Sequence, residues 1–245
     1  MRSMIQLDLE EARSLARVFG KLDKKKVIIL MFFVKPGTKW HVNNEIMKLP
    51  KFYRVPESSL YRLVDDMVAQ GFLQTVKGSA RRGRGGMMVH DYELTMKGIV
   101  AVGINMYALI LDPKTPTNLK ERLDTQSLAK NLESNTAWPF YIEFLRWHRD
   151  RNIDLSHVKV DFAYVGSVIS LTMLEHPEQI TLERLQALAG TMKELGIEVP
   201  DVTTKTVDDL RNSATLLKSI GGSSLLALHR KNLPKIGATD REEEK

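Results

Sequence analysis

Pro56-Glu57-Ser58-Ser59-Leu60-Tyr61-Arg62-Leu63-Val64-Asp65-Asp66-Met67-Val68-Ala69-Gln70-Gly71-Phe72-Leu73 is the stretch whose reading decides the fold. Leu60, Leu63, Val64, Met67 and Val68 recur at helical spacing and give one apolar face. Proline suits a first helical turn, where its missing N–H is no loss, and Gly71 stops the helix as a left-handed cap does. A helix is therefore expected over 56–70. Ser58, Ser59, Tyr61, Arg62 and Asp65 share its outward side. A short amphipathic helix with a small, hydrogen-bonding first turn has the shape that enters a DNA major groove.

Downstream, the short apolar run Phe72 to Val76 suits a strand, and Met87 to Leu94 suits its return. Between them, residues 77–86 carry Lys77, Arg81, Arg82 and Arg84, four glycines and no acidic residue. The expected element is a β-hairpin with a cationic tip, a wing over 77–88 beside the helix. Glycine lets such a loop follow a groove closely, and arginine neutralises phosphate or enters a narrow minor groove. Thr95 then caps a helix from Met96 to Leu111. Upstream, a helix from Val42 to Leu49 ends at Pro50, and the turn Lys51 to Val55 presents Lys51 and Arg54 as backbone contacts. Trp40 is expected in an extended segment before that helix, as an aromatic plug of the core in preference to a stacking platform for bases.

Ser59-Leu60-Tyr61-Arg62-Leu63, Gly71-Phe72-Leu73 and the closing Tyr92-Glu93-Leu94-Thr95-Met96-Lys97-Gly98 resemble winged helix-turn-helix transcription regulators. The PadR-like group is the nearer, through the Ser-Leu-Tyr stretch, the long turn before it and the Tyr-x-Leu-Thr-x-x-Gly ending. The MarR-like group is second, through Arg62-Leu63-Val64-Asp65. The resemblance covers about residues 24–110 and implies binding of double-stranded DNA, usually as a homodimer. Two departures stand out: no aspartate precedes the arginines of the wing as in MarR-like proteins, and the last 135 residues match neither pattern.

With 245 residues the chain has room for two small domains. Residues 1–110 hold 18 Lys+Arg against 10 Asp+Glu, whereas 111–245 hold 18 against 20. The basic excess thus lies wholly in the half with the DNA-binding pattern, as for a nucleic-acid module joined to a module of another kind. Asp112-Pro113-Lys114-Thr115-Pro116 is the clearest break. The expected organisation is a winged helix domain over 1–111, an α-helical dimerisation or sensing domain over 117–235, and a charged, disordered tail over 236–245. The fold class is mostly α with a small β-hairpin. In the second half, helices are expected from Trp138 to Arg151 and from Val158 to Leu174, the latter interrupted at Gly166. The former holds Trp138, Phe140, Tyr141, Phe144 and Trp147, read as core rather than as the lining of an effector pocket.

No catalytic signature is present, so the chain is not read as an enzyme. There is no cysteine, which excludes disulfides, thiolate catalysis and cysteine zinc sites and fits a reducing cytoplasm. The glycines at 78, 83, 85 and 86 lie among arginines rather than before a helix, so they make no phosphate loop. His148, Asp150, Asp154 and His157 are read as solvated residues around a turn, with no spacing that forces metal ligation. No apolar run reaches membrane-spanning length. The expected function is a cytoplasmic, dsDNA-binding transcription regulator, a homodimer open to a small-molecule effector and needing no cofactor. Its DNA-facing residues are Ser58, Ser59, Tyr61, Arg62, Lys51, Arg54, Lys77, Arg81, Arg82 and Arg84. The alternatives are a winged-helix DNA-maintenance protein and a protein-interaction adaptor, and the basic wing argues against the adaptor.

Overall fold

The computed structural model describes residues 7–20, 22–83, 88–122, 137–194, 198–217 and 219. The chain is mostly helical with a small antiparallel sheet. In order come α1 (Leu9–Ala16), α2 (Lys24–Phe32), α3 (Lys39–Met47), α4 (Glu57–Ala69), β1 (Leu73–Thr75), β2 (Arg81–Arg82), β3 (Met88–Val89), β4 (Tyr92–Leu94) and α5 (Met96–Leu111). The described residues then continue through α6 (Thr117–Arg122), α7 (Trp138–Asp150), α8 (Phe162–Glu175), α9 (Leu182–Glu194) and α10 (Thr204–Leu217). The tail at 236–245 and Arg84 lie outside the described residues.

Short polar side chains start most of these helices. Asp8, Asp23, Thr38, Thr95 and Asp161 each accept a hydrogen bond from the backbone N–H three residues on. Thr38 starts α3 earlier than expected, so Trp40 stands in a first helical turn rather than in an extended segment. Gly71, at φ 73°, ends α4 in the left-handed region that favours glycine. Gly166 does not interrupt α8. Nothing lies within 4 Å of where its Cβ would be, so it is a solvent-facing glycine in a continuous helix.

The hairpin is two short ladders. β1 pairs with β4 (Leu73 with Leu94, Thr75 with Tyr92) and β2 with β3 (Arg81 with Val89, Arg82 with Met88). Five residues, Val76 to Ala80, oppose two, His90 and Asp91, and this bulge splits the expected strands. Ser79 holds it: its hydroxyl donates to Val76 O (2.8 Å) and accepts from Asp91 N–H (3.0 Å). On the other edge of β4, Gly37 exchanges both backbone hydrogen bonds with Tyr92 (3.0 and 2.8 Å).

The main core does not divide at 112–116. Buried side chains from Leu7 to Leu171 form one cluster, and Asp112 to Thr115 is a surface turn across it. α1 lies against both α5 and α7, with Glu11 accepting from Arg146 (2.8 Å) and Arg13 donating to Asp112 (2.9 Å). Tyr107 of α5 meets Trp138 of α7, and Leu155 N–H donates to Val18 O (2.7 Å). The polar, proline-marked composition of 112–116 thus marks a turn, because α7 supplies apolar cover that α1 and α5 need. Ile180, Leu185, Val207 and Ala214 make a smaller cluster beneath α9 and α10.

Candidate nucleic-acid interface

α4 buries Leu60, Val64 and Met67 and leaves Ser58 and Arg62 exposed, with Ser59 and Tyr61 half-buried. Pro56 is the residue before the first turn, and Glu57 within that turn complements the positive end of the helix dipole. The Tyr61 hydroxyl is engaged: it donates to Glu57 Oε1 at 2.8 Å. Burial, and then the Glu57 carboxylate, hold its pKa above the ordinary phenol value. Arg62 is the exposed cation on this edge.

Lys39, which the sequence reading did not select, ties three elements. Its ammonium pairs with Asp65 on the outward side of α4 and lies 5.8 Å from the Tyr61 ring and 5.4 Å from the Tyr92 ring. The outward edge of α4 and the root of the hairpin are therefore within reach of one side chain. Trp40, beside it, is 64% exposed and not the core plug expected. Its helical neighbours Asn44, half-buried, and Met47, exposed, place it off the face on which Val42, Asn43 and Ile46 are buried. Polar Asn44, four residues on, was the available signal.

Lys51 is exposed on a 3₁₀ turn over Lys51–Tyr53. Arg54 is exposed too, although its Nε donates to Leu49 O at 2.8 Å and fixes the turn. On the hairpin Lys77 and Arg82 are exposed. Arg81 makes a bidentate pair with Asp91 (2.7 and 3.0 Å), which holds the Asp91 carboxyl below the usual range. Asp91, between β3 and β4, is thus the carboxylate that faces Arg81 across the bulge. An exposed pair of this kind is screened by salt and can exchange its carboxylate for a phosphate.

The Tyr-x-Leu-Thr-x-x-Gly ending closes the hairpin onto the exit of α4. Thr95 Oγ1 donates to Gly71 O (2.6 Å) and Thr95 N–H to Phe72 O (3.1 Å). A Cβ on Gly98 would overlap the Phe72 carbonyl oxygen, so only glycine allows α5 this close. Lys97, also missed in the sequence, is 1% exposed between these residues and donates to Gln70 O (2.8 Å) and Ser156 O (2.7 Å). Desolvation lowers its pKa to about 8, partly opposed by Asp154.

The histidine group does not converge. His148 is fully buried, a correction to its reading as solvated, whereas Asp154 and His157 are exposed. Among the described residues no three His, Asp or Glu side chains are grouped to hold a metal. Trp138, Phe140, Phe144 and Trp147 of α7 are buried in the core. A 280 Å³ cleft beside α7 is lined by charged side chains and by Trp147, with Arg151 paired to Glu175 (2.8 Å) and Arg184 to Glu143. No described helix is long and apolar enough to cross a membrane. No family model, no characterised protein and no solved structure matches the chain.

Proposed function

We propose that the chain is a double-stranded-DNA-binding transcription regulator of winged helix-turn-helix form, working in the cytoplasm as a homodimer. α3 and α4 are the helix-turn-helix pair, α4 is the recognition helix, and the hairpin over 77–88 is the wing. What supports this best is the Lys39 contact, which joins the Asp65 edge of α4 to Tyr92 at the wing root and so gives helix and wing a common surface. The +8 balance of residues 1–110 supplies the field that a phosphate backbone attracts. Ser58, Ser59 and Arg62 meet base edges, while Lys51, Arg54, Lys77, Arg81, Arg82 and Arg84 meet backbone or minor groove. Tyr61 serves through Glu57 and Lys39 more than through a free hydroxyl.

The test is Arg62→Ala measured on a duplex enriched from a random pool and on a scrambled duplex. A bidentate guanine contact predicts a loss of about 1–3 kcal/mol on the enriched duplex and little on the scrambled one. Equal losses reduce Arg62 to a phosphate contact. No loss on either places the DNA on another face.

A further inference from the structure

We infer that Lys97 is a positioning residue that fixes the exit of α4 to the loop between α7 and α8, so that sequence-specific DNA binding depends on that distant loop. The inference rests on the DNA-binding reading of α4. Gln70 caps the C-terminal end of α4, where carbonyls lack helical partners and the dipole favours a cation. The Lys97 ammonium serves the Gln70 carbonyl and, 59 residues further along the chain, the Ser156 carbonyl. It also lies 4.5 Å from the centre of the Phe72 ring. An apolar side chain would fill this site without burying a charge, but it could not join two carbonyls on separate elements.

The loop offers a firm anchor. Leu155 N–H donates to Val18 O (2.7 Å), Asp154 caps Ser156 N–H (2.7 Å), and the Cβ of Ser156 lies 3.1 Å from where a Cβ on Gly20 would stand. Thr95 and Gly98 hold the residues just after Gln70. Lys97 is the link that passes from them to the α7–α8 loop. α4 is 13 residues long, so its first turn is about 20 Å from this pivot. A tilt of about 5° there would move Ser58 by roughly 1.6 Å and Arg62, about 12 Å from the pivot, by roughly 1 Å, both more than the ~0.5 Å that a precise contact tolerates. Phosphate contacts from long wing side chains absorb such a shift.

Lys97→Met is therefore expected to lose tenfold or more in affinity for the enriched duplex and to stay within twofold on the scrambled duplex. A purely structural role would lower the active fraction and reduce both equally, and that result would overturn the inference, as would unchanged affinity for both. Amide exchange in the unaltered protein supplies the readout if Lys97→Met does not fold. On adding the enriched duplex, exchange at Leu155 to Val158 should slow together with exchange at Gln70 to Phe72. Slowing at 70–72 alone would refute the link while leaving the DNA reading intact. Failure of the unaltered protein to bind any duplex would remove the reading and the inference together.

Discussion

Acidification should weaken the fold through His148. The imidazole is fully buried between α7 and α8, with Nδ1 2.7 Å from Phe144 O and Nε2 2.9 Å from the Tyr164 hydroxyl. A carbonyl only accepts, so Nδ1 carries the proton and Nε2 accepts from Tyr164. Both bonds suit the neutral ring. Protonating Nε2 would put a charge in a dry site and turn the tyrosine hydroxyl away from its acceptor. Burial accordingly lowers the His148 pKa from 6.5 to about 4 and raises that of Tyr164 to about 12. The unfolded chain takes up the histidine proton near pH 6.5 and the folded chain only near 4, so the unfolded state binds more protons between them. Stability from this group is complete above pH 6.5 and is lost as pH falls toward 4, with a total of about 3 kcal/mol. Urea unfolding can be followed by Trp147, whose ring is 5.0 Å from His148. Replacing both partners, His148→Phe with Tyr164→Phe, leaves no buried polar atom unpaired and should cost little at pH 7. Carboxylates titrate in both proteins, so the difference between their acid slopes isolates His148. An equal loss of stability between pH 7 and 4.5 in the two proteins would refute the reasoning.

Two glycines should respond in opposite ways. Gly98→Ala drives a methyl into the Phe72 carbonyl and is expected to cost at least about 2–3 kcal/mol in chemical unfolding, whereas Gly166→Ala meets open space in a helix and should gain about 0.5–1 kcal/mol. Similar effects at the two sites would contradict the packing described. Residues 1–111 alone lose the cover that α7 gives α1 and α5, Trp138 against Tyr107 included. At about 1.5–3 kcal/mol for each large apolar side chain left bare, a few such losses approach a whole domain's typical stability of roughly 5–15 kcal/mol. The fragment should therefore bind a hydrophobic dye and melt without cooperativity, and a sharp unfolding transition would mean that it carries its own core.

Local chemistry made part of this legible in the sequence. Gly71 with its positive φ and the Thr95 cap are short-range events, so the end of α4 and the span of α5 follow from the residues themselves. Thr38 offered the same kind of cap for α3, but the expected start at Val42 followed the apolar run instead. Composition misled at 112–116, where two prolines accompany a turn over a shared core; the need of α1 and α5 for cover from α7 is tertiary information. The cations proposed to face DNA divide in the same way. Exposure of Arg62, Lys77 and Arg82 follows from helix and hairpin patterning. The Asp91 partner of Arg81 is reached only across a bulge that Ser79 creates. Lys97 had one local signal, a lone charge within the apolar run of α5, but its two carbonyl partners are 27 and 59 residues away.

The central claim, that helix and wing bind duplex DNA, is tested most directly by the salt dependence of binding. Anisotropy of a labelled short duplex, titrated with the full chain at several salt concentrations, gives the slope of log K against log salt. Replacing Arg81, Arg82 and Arg84 together by Ala should weaken every duplex alike and flatten that slope by about 2–3 units per protomer. An unchanged slope, or no binding by the unaltered protein at low salt, would contradict the account.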